Sequence, residues 1–336
     1  MAIDSSWGST HLQRSEIFRQ MFKEAQLEPT YAQQWVSWIG DIPADSIRTE
    51  LKVNSISELE VDTWNESQAL PERRMATGQF TFNIDQFKGI KVPFTDHFFE
   101  TSFQANEVLR RTPEKMKRAM DVYMETQFLK TINDGQTANN DNVINTGKHR
   151  FVASGDGTSA PADSLTLSDF SYVQYALNKA QAPVAGRIAV VDSVTAHNLN
   201  VKSNIVDISN NPRWEGLVTE GHLDSTGLRF VRSIYGIDVY VSEFLPTIDA
   251  DEANLTTYKG DGAQSADISG YTANYFMVIG GDSSPVIGAM GRSPRFVSWR
   301  DEDVETEYHQ LTNSFGFGLY RPENAITVLS DSSAIA

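Results

Sequence analysis

RFVRSIYGIDVYVSEFLP, Arg229 to Pro246, is the stretch around which the rest of the chain arranges itself. Two runs rich in β-branched and aromatic residues flank Tyr235-Gly236, and Leu245-Pro246 stops the second, which is the pattern of strand, tight turn, strand. No reactive residue sits at the turn. A hairpin so regular and so inert serves packing, and the question it raises is what it packs against.

The whole chain narrows the answer. Its 336 residues suggest two domains, or one elongated domain with extensions. A hydrophobic fraction of 40% suits a globular protein, and no apolar run is long enough for a membrane-spanning helix. The opening MAIDSSWGST lacks the basic flank and apolar centre of a secretory signal, so Asn65 and Asn254, although in Asn-x-Ser/Thr contexts, are expected to carry no sugar. Without cysteine there are no disulfides and no thiolate metal sites. The net charge of −16 sets a mean field that repels phosphates, which disfavours nucleic-acid binding by the bulk of the chain. The basic clusters at Arg110-Arg111, Lys115 to Arg118 and Glu72 to Arg74 read as solvated or ion-paired surface.

Working outward from the hairpin, GRIAVVDS contains a buried strand, Ile188 to Val191, and the short helix VTAHNLN follows it. LSDFSYVQYALNKAQAP precedes it as a helix capped by Ser168, with Phe170, Val173, Leu177 and Ala180 inward. Downstream of an acidic connection, NYFMVIGG and PVIGAM are strands, and the segment from Ser293 to Asp331 offers two or three more. Residues 133–166 read as a long polar loop. Before it, Thr112 and Pro113 mark the cap and first position of a helix whose Met116, Met120, Met124, Phe128 and Ile132 recur at i+4, ending at Asp134-Gly135. From Thr49 to Pro93 the pattern is extended, with Phe80, Phe82 and Ile84 at period two, and the polar stretch NESQALPERRMATG makes the tip of a projecting hairpin. A two-stranded ribbon is marginal in water on its own, so it needs support from elsewhere. Near the N-terminus Ile17, Phe18, Met21, Phe22 and Ala25 line a helix, and Tyr31, Trp35, Trp38 and Ile39 follow in a short helix or turn. That aromatic surface either folds back on its own domain or lies across a neighbouring subunit. Strands and helices without steady alternation favour an α+β fold over a doubly wound sheet.

Chemistry is sparse. The chain has no G-x-x-x-x-G-K-[ST], no H-E-x-x-H and no G-x-S-x-G. GDGTSA and GDGAQS resemble phosphate loops in composition only, and the histidines lack ligand spacing. RDEDVETEYHQ, read as a strand, sets Asp301, Asp303, Glu305, Glu307 and His309 on one face. Paired carboxylates there could serve a hydrolase or hold a hard cation. The structural alternative is a row of acids meeting Arg292, Arg295 and Arg300, or basic groups on another chain. No catalytic, cofactor or metal role is assigned.

The order of these pieces is itself informative. Polar-tipped hairpin, long capped helix, a helix leading to GRIAVVDS, the G-x-x-V-x-x-S-x-x-L-P of Gly236 to Pro246, the strand YFMVIGG and the terminal GFGLYRPENAITVL together resemble the major capsid proteins of tailed bacteriophages, over residues 49–331. That resemblance implies the Hong Kong phage capsid fold, α+β. Its parts are an N-terminal arm at 1–48, an extended hairpin loop over an adjacent subunit at 49–98, and a peripheral domain with its spine helix and following loop at 99–164. An axial domain at 165–290 comes next, and 291–336 returns to the peripheral domain with the closing strands. It implies inter-subunit contacts through Phe18, Phe22, Trp35, Trp38, Glu72, Arg73, Arg74, Asp303 and Glu305. The partners are copies of the chain in hexamers and pentamers, a portal protein, a decoration protein, and double-stranded DNA packaged without sequence-specific binding and without a membrane. Because no long charged helical segment precedes the arm, a separate scaffolding protein is expected. The place implied is the virion capsid, assembled in the host bacterial cytoplasm. Lys88 and Lys91 lie in the hairpin, but no activated asparagine partner is identified and no cross-link is expected. An encapsulin-like compartment shell of the same fold, and a carboxylate-dependent hydrolase, are the alternatives.

Overall fold

The computed structural model describes residues 30, 32–39, 50–56, 77–101, 105–136, 142–155, 163–201, 218–220, 230–248 and 268–332. In it Tyr235 and Gly236 take φ values of 51° and 74°. Two positive φ values in a two-residue turn match the right-handed twist of the strands it joins. The turn links strand β10 (Phe230–Ile234) to β11 (Ile237–Val241) antiparallel, as expected.

What the hairpin packs against is a seven-stranded mixed sheet. β11 runs parallel to β8 (Arg187–Val191), which pairs antiparallel with β12 (Thr272–Val278). β12 pairs with the C-terminal strand β15 (Ala325–Ser330), and β15 with β7 (Arg150–Val152). At the other edge β10 pairs with β9 (Val218–Glu220). Helices α4 (Leu167–Lys179) and α5 (Ser193–Val201) flank one face, where Phe170, Val173, Leu177, Ala196 and Leu199 meet Ala189, Val191, Phe276 and Val328. The opposite face is covered by Trp35, Phe128, Leu129 and Ile132 against Ile188, Val190, Tyr275 and Met277. Coverage of both faces is why β8, β12 and β15 are buried at every residue and show no alternation of apolar and polar positions.

Four details depart from the sequence reading. The segment taken as a loop holds β5 (Val143–Ile144), β6 (Gly147–Lys148) and β7. These strands are too short to show a period, and β7 is strand only through its long-range pairing with β15. The cap of α4 is Thr166, not Ser168: the Asp169 amide donates to Thr166 Oγ1 at 3.4 Å while the Thr166 amide donates to Asp169 Oδ2 at 2.8 Å, a reciprocal box. The long helix α3 spans Ala105–Gln136, so Pro113 lies inside it rather than at its start. A proline there leaves the Leu109 carbonyl without its helical donor. The turns before it are held by Glu107, which accepts from Arg110 at 2.9 Å and Arg111 at 2.6 Å, bonds that lower its pKa to about 2. Thr112 Oγ1 does not cap but donates back to the Val108 carbonyl at 2.8 Å. Finally, the extended pattern read from Thr49 to Pro93 breaks after its polar tip, at Ile84-Asp85, into β3 (Thr77–Asn83) and β4 (Gln86–Thr95).

The methionine stripe of α3 is buried throughout. A step of four residues overshoots the helical turn by about 40°, so the stripe winds around the helix. Met116, Met120 and Met124 pack on Leu311 and Phe315, and Phe128 and Ile132, one to two turns on, reach the core of the large sheet. One helix thereby joins two bodies of sheet.

Candidate assembly interface

The second sheet has the order β1 (Ser37–Trp38), β13 (Val286–Asp301), β14 (Thr306–Leu319), β4. β14 carries Phe315 and Phe317 on the face toward α3, where Phe315 meets Tyr123 and Phe317 meets Phe128. Its alternate residues Gly316 and Gly318 lie on the other face. A Cβ on Gly316 would stand 2.4 Å from the Asn83 carbonyl oxygen, and one on Gly318 would stand 2.9 Å from Phe82 Cβ. The GFG triplet is therefore a saddle: aromatic on one side, empty on the other, so that β3 can cross directly over β14. Phe82 and Ile84 close the crossing against Ile287 and Ala289.

From this saddle β3 leaves as half of a ribbon. It pairs antiparallel with β2 (Glu50–Ile56), from Glu50 opposite Asn83 to Ile56 opposite Thr77, and the two form a sheet of their own. Burial fades along β3 away from the saddle: Phe82 is buried, Phe80 half-buried, and Thr77 to Gln79 exposed. The period-two aromatics are thus the anchor of the ribbon and its outer end stands clear of the body.

A second projection is formed by β4, β13 and β14 beyond the saddle. Pro93 is tolerated in β4 because that strand is an edge, paired only with β14 among the described residues. Arg300 holds the projection to helix α2 (Asp96–Thr101), donating to Asp96 at 3.1 and 2.6 Å, and also pairs with Glu302 at 2.8 Å. His309 sits between the rings of Phe94 and Phe296 and meets Glu307 at 3.2 Å. Lys91 Nζ lies over both Trp299 and Tyr308, at 5.0 and 3.8 Å. Phe87, Phe296 and Trp299 remain 63%, 42% and 36% exposed. Such aromatic surface on the second projection marks a face that another molecule can cover. Among the described residues no cluster of three or more His, Asp or Glu converges to hold a metal ion.

A profile of the family described as phage capsid protein matches residues 79–326, about three quarters of the chain. The chain belongs to the phage capsid protein family. No curated protein sequence matches it. Solved capsids do. The capsid of cyanophage P-SCSP1u aligns at TM-score 0.69 and 12% identity over 94% of this chain and 93% of that one. The Mycobacterium phage Che8 structure aligns at 0.60 and 14% over 94% and 96%, and the capsid of Ralstonia phage GP4 at 0.62 and 10% over the full length of both. The fold is that of the tailed-phage capsids, of Hong Kong phage type, and this capsid protein is a structural component of an icosahedral virion shell rather than an enzyme.

Against that background the contact residues named from sequence fall into three groups. Phe18, Phe22, Glu72, Arg73 and Arg74 lie outside the described residues. Trp35 is a correction: it is 4% exposed, edge-on to Tyr240 of its own chain, with its carbonyl accepting from Ser284 Oγ at 2.6 Å. It has no surface left for a neighbour. Trp38 packs on Phe317 and over Gly288, whose missing Cβ would stand 2.9 Å from the indole, and it stays half-buried. This part of the aromatic segment folds back on its own domain. Asp303 and Glu305 stand on the turn at the tip of the second projection, so the acidic row does not share one strand face as expected. Residues 302–305 turn the chain, with Glu305 at φ 48° and the Asp303 amide donating to Asp301 Oδ1 at 3.1 Å. Sequence reasoning missed Phe87, Phe296 and Trp299. The available signal was two aromatics in the arginine-bearing strand RFVSWR, which no core required.

Proposed function

We propose that this capsid protein builds its shell by laying the β2–β3 ribbon of each copy over the next, and that the chain divides by role as its family resemblance implies. Residues 1–48 are then an arm, 49–98 the overlapping loop, and α3 the spine of a peripheral domain. The seven-stranded sheet with its hairpin belongs to a domain gathered around the axes of hexamers and pentamers. The observation that carries this is the ribbon itself: a two-stranded sheet anchored at one end by Phe80, Phe82 and Ile84, with its outer residues exposed. Two strands are marginal in water, so a ribbon that stands clear gains its stability on a neighbour. The net charge of −16 suits a container whose wall repels packed DNA and binds none of it by sequence. A separate scaffolding protein, a portal and a decoration protein complete the assembly, which takes place in the bacterial cytoplasm. Deleting Asn65 to Ala76 tests the reading. Subunits that remain folded by circular dichroism but form no regular particles by electron microscopy are the expected result, and normal particles would refute the overlapping-loop role.

A further inference from the structure

We propose that the outer edge of β13 is a contact between two copies of this capsid protein, in which two β13 strands meet antiparallel about a two-fold axis. The setting rests on the shell reading, and the register and sign of the contact rest on this strand alone. Among the described residues β13 is paired on its outer side only at Ile287 and Gly288, by β1. From Gly291 to Arg300 the strand is exposed at every residue but the half-buried Val297. A sheet edge of that length presents backbone donors and acceptors that will pair with any suitable strand unless something prevents it.

The first half of the edge is guarded. Arg292, Pro294 and Arg295 stand on it, and the pairing with β14 is irregular between Met290 and Arg295. Charge, proline and bulges are the devices that stop indiscriminate edge pairing. From Phe296 to Asp301 the register is regular again, and Phe296 and Trp299 are exposed. The edge is also polarised. Arg292 and Arg295 occupy one end, and Asp301, Asp303 and Glu305 the other. Arg300 and Glu302 do not enter this balance because they pair with each other, and Arg300 with Asp96 as well.

Two identical edges crossing antiparallel set the arginines of each against the acids of the other, at both ends of the contact. Crossing parallel, they would stack like on like. Arg292 and Asp301 are separated by about 30 Å of strand, several Debye lengths at about 8 Å, so the two ends act independently and both must match. The guard that excludes foreign edges therefore admits one mate, the same strand reversed. Such a contact is self-complementary and closes with two copies.

Because the chain has no cysteine, Ser298→Cys introduces a unique thiol near the centre of the contact. Treating particles, and concentrated unassembled subunits, with a short bismaleimide should give covalent dimers and nothing larger, while Val184→Cys, exposed on another part of the molecule, stays monomeric. Absence of Ser298→Cys dimers would overturn the proposal. Charge exchange gives an independent readout. Arg292→Glu with Arg295→Glu makes both ends of the edge acidic, and Asp301→Lys with Asp303→Lys and Glu305→Lys makes both ends basic. Each alone should assemble at least about ten-fold less well, roughly 1.4 kcal/mol, and mixing the two should restore particles. Normal assembly of either alone, or no rescue from two folded variants, would refute the contact. If the unaltered protein formed no particles, the shell reading would fail, and the cross-link in concentrated subunits would still decide the edge.

Discussion

Gly316→Ala is the sharpest perturbation of this structure. The added methyl would sit 2.4 Å from the Asn83 carbonyl oxygen, 2.9 Å from Ile84 Cα and 3.1 Å from the Asn83 carbonyl carbon, where ordinary contact begins at 3.4 Å. All three atoms are backbone, so no rotamer change relieves the clash: β3 must lift by about 1 Å at the saddle. Overpacking of this kind costs about 1–3 kcal/mol, and lifting β3 also loosens Phe82 and Ile84 from Ile287 and Ala289. Gly291→Ala is the control. Its methyl would meet only side-chain atoms, Ser314 Oγ at 3.0 Å and Ile84 Cγ2 at 3.3 Å, which can yield. Urea unfolding of unassembled subunits, followed by tryptophan fluorescence, should show a lower midpoint for Gly316→Ala than for Gly291→Ala, with unchanged slope. Particle yield should fall in the same order, since the saddle aims the ribbon at its neighbour. If Gly316→Ala matched the wild type within about 0.5 kcal/mol and assembled normally, the saddle would not be what positions the ribbon.

Phe128→Ala, at the point where α3 passes from one sheet to the other, should cost about 3–5 kcal/mol in the same titration because the residue is wholly buried. Thr166→Ala removes the acceptor of the α4 cap and should cost about 1 kcal/mol, with Thr166→Ser restoring most of it. Burial holds the His149 imidazole below its ordinary pKa of 6.5, against the pull of the Gly147 and Glu323 carbonyls. The fold thus favours the neutral ring, and that contribution, full above 6.5, is lost as pH falls through the lowered value. Thermal melts at about pH 7 and about pH 5 should show a larger loss for the wild type than for His149→Gln. Equal losses would remove His149 from the account.

Several elements were readable from residues alone because their signal is local. Tyr235-Gly236 between two β-rich runs specifies its turn through the backbone freedom of glycine, and Phe80, Phe82 and Ile84 announce a half-buried strand by period. The buried stripe of α3 follows from spacing that any helix would honour. The start of that helix was misjudged because a proline ordinarily opens a helix, and the local signal against it, Glu107 three and four residues before Arg110 and Arg111, reads equally as plain surface charge.

Residue identities alone determined that this chain is a cysteine-free, strongly acidic α+β protein without a catalytic signature, and that its pieces come in capsid order. Tertiary structure decided what each piece touches. The three-residue strand Arg150–Val152 exists because β15, far along the chain, offers it a partner, and Trp35 is core because Tyr240 covers it. GFG is a crossing point rather than a flexible turn only because β3 passes over it, and the acids near Asp303 are a tip rather than a row because β13 and β14 must be joined. Period and propensity act over a few residues, whereas burial, pairing and close approach are set by atoms that lie distant in sequence and meet only once the chain has folded.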